Sequence, residues 1–167
     1  MAKSKQPLTA KIYIGIDPAF REKGFTICII DTEDNSVKFK KFKAFKDFCF
    51  WVLSDAPLKE DVIFCVENSN LTGASFDLKG SAALIARKSR NVGMNQAISQ
   101  NTVDVLTAFD YLVVDLSPKD KGEKYTDHIF RSVAKANGHK VPKIVSQDAR
   151  DAYKLAGLAK QKSYLAK

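Results

Sequence analysis

At 167 residues the chain has the length of one domain, long enough to bury a substantial core. Its 45% hydrophobic and 28% charged residues have the balance of a soluble globular protein. No apolar run approaches the roughly 20 residues of a membrane helix. The net charge of +8 points to a polyanionic partner, and nucleic acid is the favoured one once the carboxylates described below are counted.

The first residues, MAKSKQPLTAK, are basic and polar with no apolar segment behind them, so they are expected to be no secretory signal. Residues 1–10 read as a flexible arm and residues 11–167 as a single domain. Lys11–Asp17 alternates as a strand, with Ile12, Ile14 and Ile16 on one face and Tyr13, Gly15 and Asp17 on the other. Asp17 is unusual at the end of such a strand. A desolvated carboxylate there needs a cationic partner, unless it only caps the turn before Pro18. Gly15 leaves space beside it. Gly24–Asp31 reads as a second strand, TEDNS at Thr32–Ser36 as a polar turn, and Val37–Phe42 as a third strand, together an antiparallel meander. The lysines of the third strand either touch DNA or protect a sheet edge from pairing with other chains, and the edge reading is preferred. Phe45–Leu53 fits a short, very apolar helix with Trp51 in the core.

Asp61–Glu67 is a near-continuous apolar run, the pattern of a buried strand, and it ends in a second carboxylate. A polar loop, Asn68–Lys79, follows. Ser81–Arg90 reads as helical, with Gly93 breaking or kinking the pattern before Gln96–Phe109 resumes it. Tyr111–Leu116 is a further strand closed by Ser117–Pro118, and Lys119–Tyr125 is a lysine-rich loop. Thr126–Asn137 is a helix stopped by Gly138. Ser146 caps a last helix running to about Lys160. Cys28, Cys49 and Cys65 lie in strand-like or apolar stretches without C-x-x-C spacing, as reduced core residues of a cytoplasmic protein do. His128 and His139 lack zinc-site spacing to any cysteine.

The last helix carries Asp148 and Asp151, three residues apart and so on one face. Both can serve simply as favourable charges at a helix N-terminus. That account does not extend to Asp17 and Glu67, which end apolar strands. If those two strands are neighbours, the carboxylates converge and the closing helix can bring Asp148 and Asp151 over them. Such a cluster repels itself unless cations sit within it, and oxygen-only ligands suit Mg²⁺ or Mn²⁺. Two ions roughly 3.5–4 Å apart can activate a water and stabilise the leaving oxygen of a phosphodiester.

The element order is βββαβαβαα, which implies a mixed five-stranded α/β sheet of three meander strands plus two further strands, covered by helices. This is the ribonuclease H-like arrangement. Within that superfamily the chain resembles the RuvC-like branch of Holliday junction resolvases over roughly residues 11 to 160. GIDPAFREKGFTICIID looks like the family's first hairpin, VENS stands where the family carries its strand-four Glu, and DARDAYKLA resembles its closing D-x-x-D-A helix. The resemblance implies a metal-dependent, structure-selective endonuclease acting on four-way DNA junctions as a symmetric homodimer, with two Mg²⁺ ions and no small-molecule cofactor. It makes Asp17 the bridging ligand, gives one ion to Glu67 and the other to Asp151, and lets Asp148 complete the site. Many relatives carry His near the start of the closing motif. Here Gln147 precedes Asp148, which leaves open which aspartate contributes more.

Two basic groups flank the acidic centre and are expected to hold a DNA backbone: Lys79, Arg87, Lys88 and Arg90 after Glu67, and Lys119, Lys121 and Lys124 after the fifth strand. Arg150 lies between the two aspartates in sequence but off their shared face, which suits a phosphate contact. Phe76 either inserts at a junction or packs into the core. In the helix Gln96–Phe109, Ile98, Val105, Leu106 and Phe109 form either a dimer interface or a face buried on the sheet. The alternatives to a junction endonuclease are a ribonuclease H acting on RNA–DNA hybrids and a noncatalytic nucleic-acid-binding module. An actin-like or sugar-kinase ATPase can also begin Gly-Ile-Asp, but it needs two such domains where this chain has one.

Overall fold

Residues 8–18, 25–71 and 79–166 are described in the computed structural model. The three isoleucines of strand β1, Ile12–Ile16, alternate onto one face of a sheet, and Tyr13 and Gly15 take the other. Strand β2, Phe25–Asp31, pairs antiparallel with β1, and β3, Val37–Phe42, pairs antiparallel with β2. Strand β4, Val62–Glu67, runs parallel on the other side of β1, and β5, Leu112–Leu116, runs parallel to β4. The strand order is β3-β2-β1-β4-β5, a mixed five-stranded sheet with helices on both faces. The expected antiparallel meander of β1, β2 and β3 is present, and β1 and β4 are neighbours. β3 is an edge strand with Lys38, Lys40 and Lys41 exposed, as edge protection requires.

Strand alternation divides the core into two sides. On the first, Ile14, Ile16, Val62, Phe64, Val66 and Val113 pack against helix α1, Phe45–Ser54, and helix α2, Ala82–Ala108. Phe25, Phe42, Phe48 and Trp51 form an aromatic cluster there, with ring centroids 5.5–6.0 Å apart. Ile98 and Leu106 of α2 are buried in the same core, with Val103 and Val105 packed against it. Of the four apolar residues of this stripe, Ile98 and Leu106 are spent on the sheet, Val105 is partly buried and Phe109 is exposed.

On the second side lie helix α4, Asp127–Ala136, and helix α5, Gln147–Gln161. Phe130, Ala134, Ala149, Ala152, Tyr153 and Ala156 cover Cys28 and Ile30, and Leu155 and Ala159 cover Tyr13, Ile63 and Cys65. The alanines let α5 approach closely, and Gly15 completes the approach. A Cβ built at Gly15 would stand 2.0 Å from Ala152 O and 2.3 Å from Ala156 N. Cys28 and Cys65 are buried and all three cysteines are free thiols.

Two expectations are corrected. α2 is one helix of 27 residues rather than two segments broken at Gly93. Gly93 is exposed with open space around it, and a mid-helix glycine costs about 1 kcal/mol against alanine, less than nucleating a second helix. The lysine-rich loop after β5 opens with a helix, α3, Pro118–Lys121. Ser117 Oγ accepts from Asp120 N at 3.2 Å, Pro118 suits the first helical position, and Gly122 ends the turn at φ +70°. Of the arm expected at residues 1–10, the described part ends in Ala10, whose N–H donates to Tyr13 Oη at 3.1 Å. No helix among the described residues is long and apolar enough to cross a membrane.

Candidate functional site

Asp17 follows β1 on the face of Tyr13 and Gly15, and Glu67 ends β4 on the face of Ile63 and Cys65. The strands are parallel neighbours whose register runs to Ile16 opposite Val66, so the two carboxylates stand side by side at the same end of the sheet. The close seat of α5 on Gly15 sets the first turns of that helix beside them. Asp151 precedes Ala152, the residue that meets Gly15, and its side chain is buried.

A lysine stands in the middle of this group. α3 turns Lys121 inward until it is 6% exposed, a rare burial for an ammonium. Its Nζ donates to Asp17 Oδ2 at 3.1 Å and lies directly against Glu67 Oε2. Burial alone would lower the Lys121 pKa, but the Asp17 and Glu67 carboxylates outweigh it and hold the group above its ordinary value. Glu67 is pushed up by burial first, then by the charge of Asp17, and further by Asp151. Lys121 opposes the shift only in part. The repulsion felt at Glu67 ties Asp17, Glu67 and Asp151 into one electrostatic group.

Asp151 is held from its own helix. Its Oδ1 accepts from Gln147 Nε2 at 2.8 Å, and its Oδ2 lies 3.5 Å from Lys124 Nζ. Gln147 is oriented in turn by Arg150, whose Nη2 donates to Gln147 Oε1 at 2.8 Å. The rest of that guanidinium donates to Val145 O at 2.7 Å and Tyr125 O at 3.2 Å. Three of the five Arg150 N–H donors are thus spent inside the protein. Gln147 is a site residue that strand patterning and charge do not mark in the sequence. Its signal is the i, i+4 spacing to Asp151 and the i, i+3 spacing to Arg150. Asp148 is half-buried in the first turn of α5.

Asp17, Glu67, Lys121 and Lys124 open into a cleft of about 190 Å³, walled by Ser69 on one side and by Asn95 and Ser99 of α2 on another. Among the described residues lining it, the acidic ones are Asp17 and Glu67. Asn68, behind the wall, is fully buried and donates to Gln100 Oε1 at 3.2 Å and Asp115 Oδ2 at 3.3 Å, which fixes β4 to α2 and β5. Of the basic residues, Arg87, Lys88 and Arg90 are exposed on the first half of α2, with Lys79 exposed just before it. Lys119 is exposed on α3, and Lys124 is 63% exposed while reaching Asp151. Phe76 lies outside the described residues.

The donor set is all oxygen and carries excess negative charge in a partly desolvated place, which suits a hard dication. In the arrangement seen, the cation between Asp17 and Glu67 is the Lys121 ammonium. Among the described residues no three His, Cys, Asp or Glu side chains are set as a ready group of metal ligands. No model of a known protein family matches the chain, and no curated protein matches it.

Proposed function

We propose that this protein is a metal-dependent, structure-selective DNA endonuclease of ribonuclease H-like architecture, acting on four-way junctions as the RuvC-like enzymes do. The observation that carries the reading is the pairing of Asp17 and Glu67 at the neighbouring strand ends of β1 and β4, beside an open cleft and with the first turns of α5 packed against β1. A cluster kept this costly has a use for cations. Asp17, Glu67, Asp148 and Asp151 are the residues that would hold Mg²⁺ or Mn²⁺. The ions, when bound, supply water activation and charge stabilisation at the leaving oxygen of a phosphodiester.

The chain's own residues do the rest. Gln147, braced by Arg150, fixes the Asp151 carboxylate so that one oxygen stays towards Lys124 and the cleft. Lys124 brings positive charge to the cleft for a backbone phosphate, and the exposed Lys119 adds to the positive charge of the same segment. Arg87, Lys88 and Arg90 extend this charge along α2. Arg87 lies eight residues from Asn95 at the cleft wall, or about 12 Å of helix. DNA bound there runs from the cleft along the exposed half of α2.

The test is a panel of labelled substrates of one sequence: four-way junction, linear duplex, flap and RNA–DNA hybrid, each with Mg²⁺ or EDTA. The reading expects Mg²⁺-dependent incision of the junction well above the duplex. Preferential cutting of the RNA strand would make the protein a ribonuclease H. Tight junction binding without cutting in any metal would make it a noncatalytic binding module.

A further inference from the structure

The Lys121 ammonium occupies the position that a cation shared by Asp17 and Glu67 has to occupy. Its side chain is nearly solvent-free, it contacts both carboxylates, and it is the buried cation of the cleft. Its carrier is slight: α3 has four residues, between the Ser117 cap and Gly122 at φ +70°. The open cleft lies directly beside it, lined by Lys121 itself.

Lys121 Nζ contacts both Asp17 and Glu67, so a dication taken up by the same two carboxylates would stand beside a buried ammonium, a repulsion that the site screens poorly. Glu67 and Asp17 also cannot turn their facing oxygens to a second cation while Lys121 Nζ lies against them.

We propose that Lys121 is a tethered counter-cation, exchanged for the first divalent ion: it holds Asp17 and Glu67 together in the metal-free protein and leaves when the ion enters. The displaced ammonium moves out on the α3 turn into the cleft, where the backbone phosphate of bound DNA is its next partner. Lys121 is therefore a positioning residue that sets metal affinity and links metal entry to the phosphate-binding surface. The inference rests on the metal-dependent reading above.

Two measurements without DNA test it, neither reading activity. Mn²⁺ is titrated into wild-type protein and Lys121→Met, following free Mn²⁺ by electron paramagnetic resonance, with folding checked by circular dichroism. Methionine is unbranched, one atom shorter than lysine, and removes the charge. The variant should bind Mn²⁺ at least about tenfold more tightly, equivalent to ~1.4 kcal/mol of competition removed. Adding Asp17→Asn to Lys121→Met should cancel the gain. In the second measurement wild-type protein is acetylated briefly with and without Mn²⁺ and read by mass spectrometry, with exposed Lys119 as internal reference. Lys121 should pass from protected to labelled as Mn²⁺ saturates, and this result stands even if Lys121→Met fails to fold. Saturable Mn²⁺ binding with Lys121 still protected, or a folded variant that binds no more tightly than wild type, would overturn the exchange and leave the metal-dependent reading intact. No Mn²⁺ binding by either protein would overturn both.

Discussion

Gly15 is the residue on which the approach of α5 to the acidic cluster depends. The helix backbone lies where a side chain at that position would begin, 2.0 Å from Ala152 O. Backbone atoms in the middle of a packed helix cannot step aside as a flexible side chain can. Gly15→Ala should therefore lift α5 from β1 and cost at least about 1–3 kcal/mol, the range for overpacking a close-packed core. Chemical denaturation checks this as a lower midpoint at unchanged slope, and an unchanged midpoint would contradict it. The alternation of Lys11–Asp17 makes this face legible, because Tyr13, Gly15 and Asp17 have to share a side. The inward turn of Lys121 is not legible. It depends on carboxylates far away in sequence, Asp17 being 104 residues distant, and nothing in a lysine-rich loop marks which ammonium will find them. The Ser-Pro start of α3 is the one local hint. Arg150 escapes a sequence reading for a related reason: its carbonyl acceptors at Tyr125 and Val145 come together only when the segments before α5 fold against it.

At the scale of elements, α2 divides into two halves with different tasks. From Ile98 onward it is anchored in the core, through Ile98, Ser99, Thr102 and Leu106. From Ala82 to Gln96 it carries no fully buried residue, and it presents Arg87, Lys88 and Arg90 to solvent. Continuity with the anchored half holds the free half helical, since a helix of that length alone in water is marginal. Charge reversal of Arg87, Lys88 and Arg90 to Glu should then leave the melting temperature nearly unchanged. It should weaken DNA binding regardless of sequence, and the log–log salt slope should fall by roughly 0.9 for each phosphate that is no longer neutralised. Binding isotherms at several salt concentrations measure it, and an unchanged slope would show that this half faces solvent in the complex. The equivalent experiment on the lysines after β5 has to spare Lys121, whose reversal would set a third acid between Asp17 and Glu67. Helix existence and the meander are readable from periodicity and turn residues. The continuity of α2 through Gly93 is not, because a glycine in a helical pattern weakens a helix without ending it.

For the whole molecule, the proposed junction substrate has approximate two-fold symmetry. One chain carries one set of Asp17, Glu67, Asp148 and Asp151, whereas resolving a junction takes two opposed cuts. A symmetric homodimer supplies both sites in one encounter. Ile98 and Leu106 are buried on the sheet and cannot serve such an interface, whereas Phe109 at the end of the same helix is exposed. Sedimentation at micromolar protein, with and without junction DNA, should show two chains per junction. A monomer in both conditions that still made paired incisions in one binding event would exclude the dimer. The mixed five-stranded sheet is legible in the order of strands and helices, and the site's acidic residues in their places at strand ends and in the last helix. The cation among them is legible only as a requirement, since a sequence shows that clustered carboxylates need positive charge but not whether a metal or a lysine provides it.

The central claim is that Asp17 and Glu67 are the working carboxylates of a metal-dependent nuclease, and single-site isosteres test it most directly. Labelled four-way junction is incubated in Mg²⁺ with wild-type protein, Asp17→Asn and Glu67→Gln, and incision is followed on a denaturing gel alongside junction binding in EDTA. The account predicts that both variants fold, bind the junction at least as well as wild type because negative charge has been removed from the cleft, and make no detectable cut. Substantial Mg²⁺-dependent incision by Asp17→Asn would contradict it.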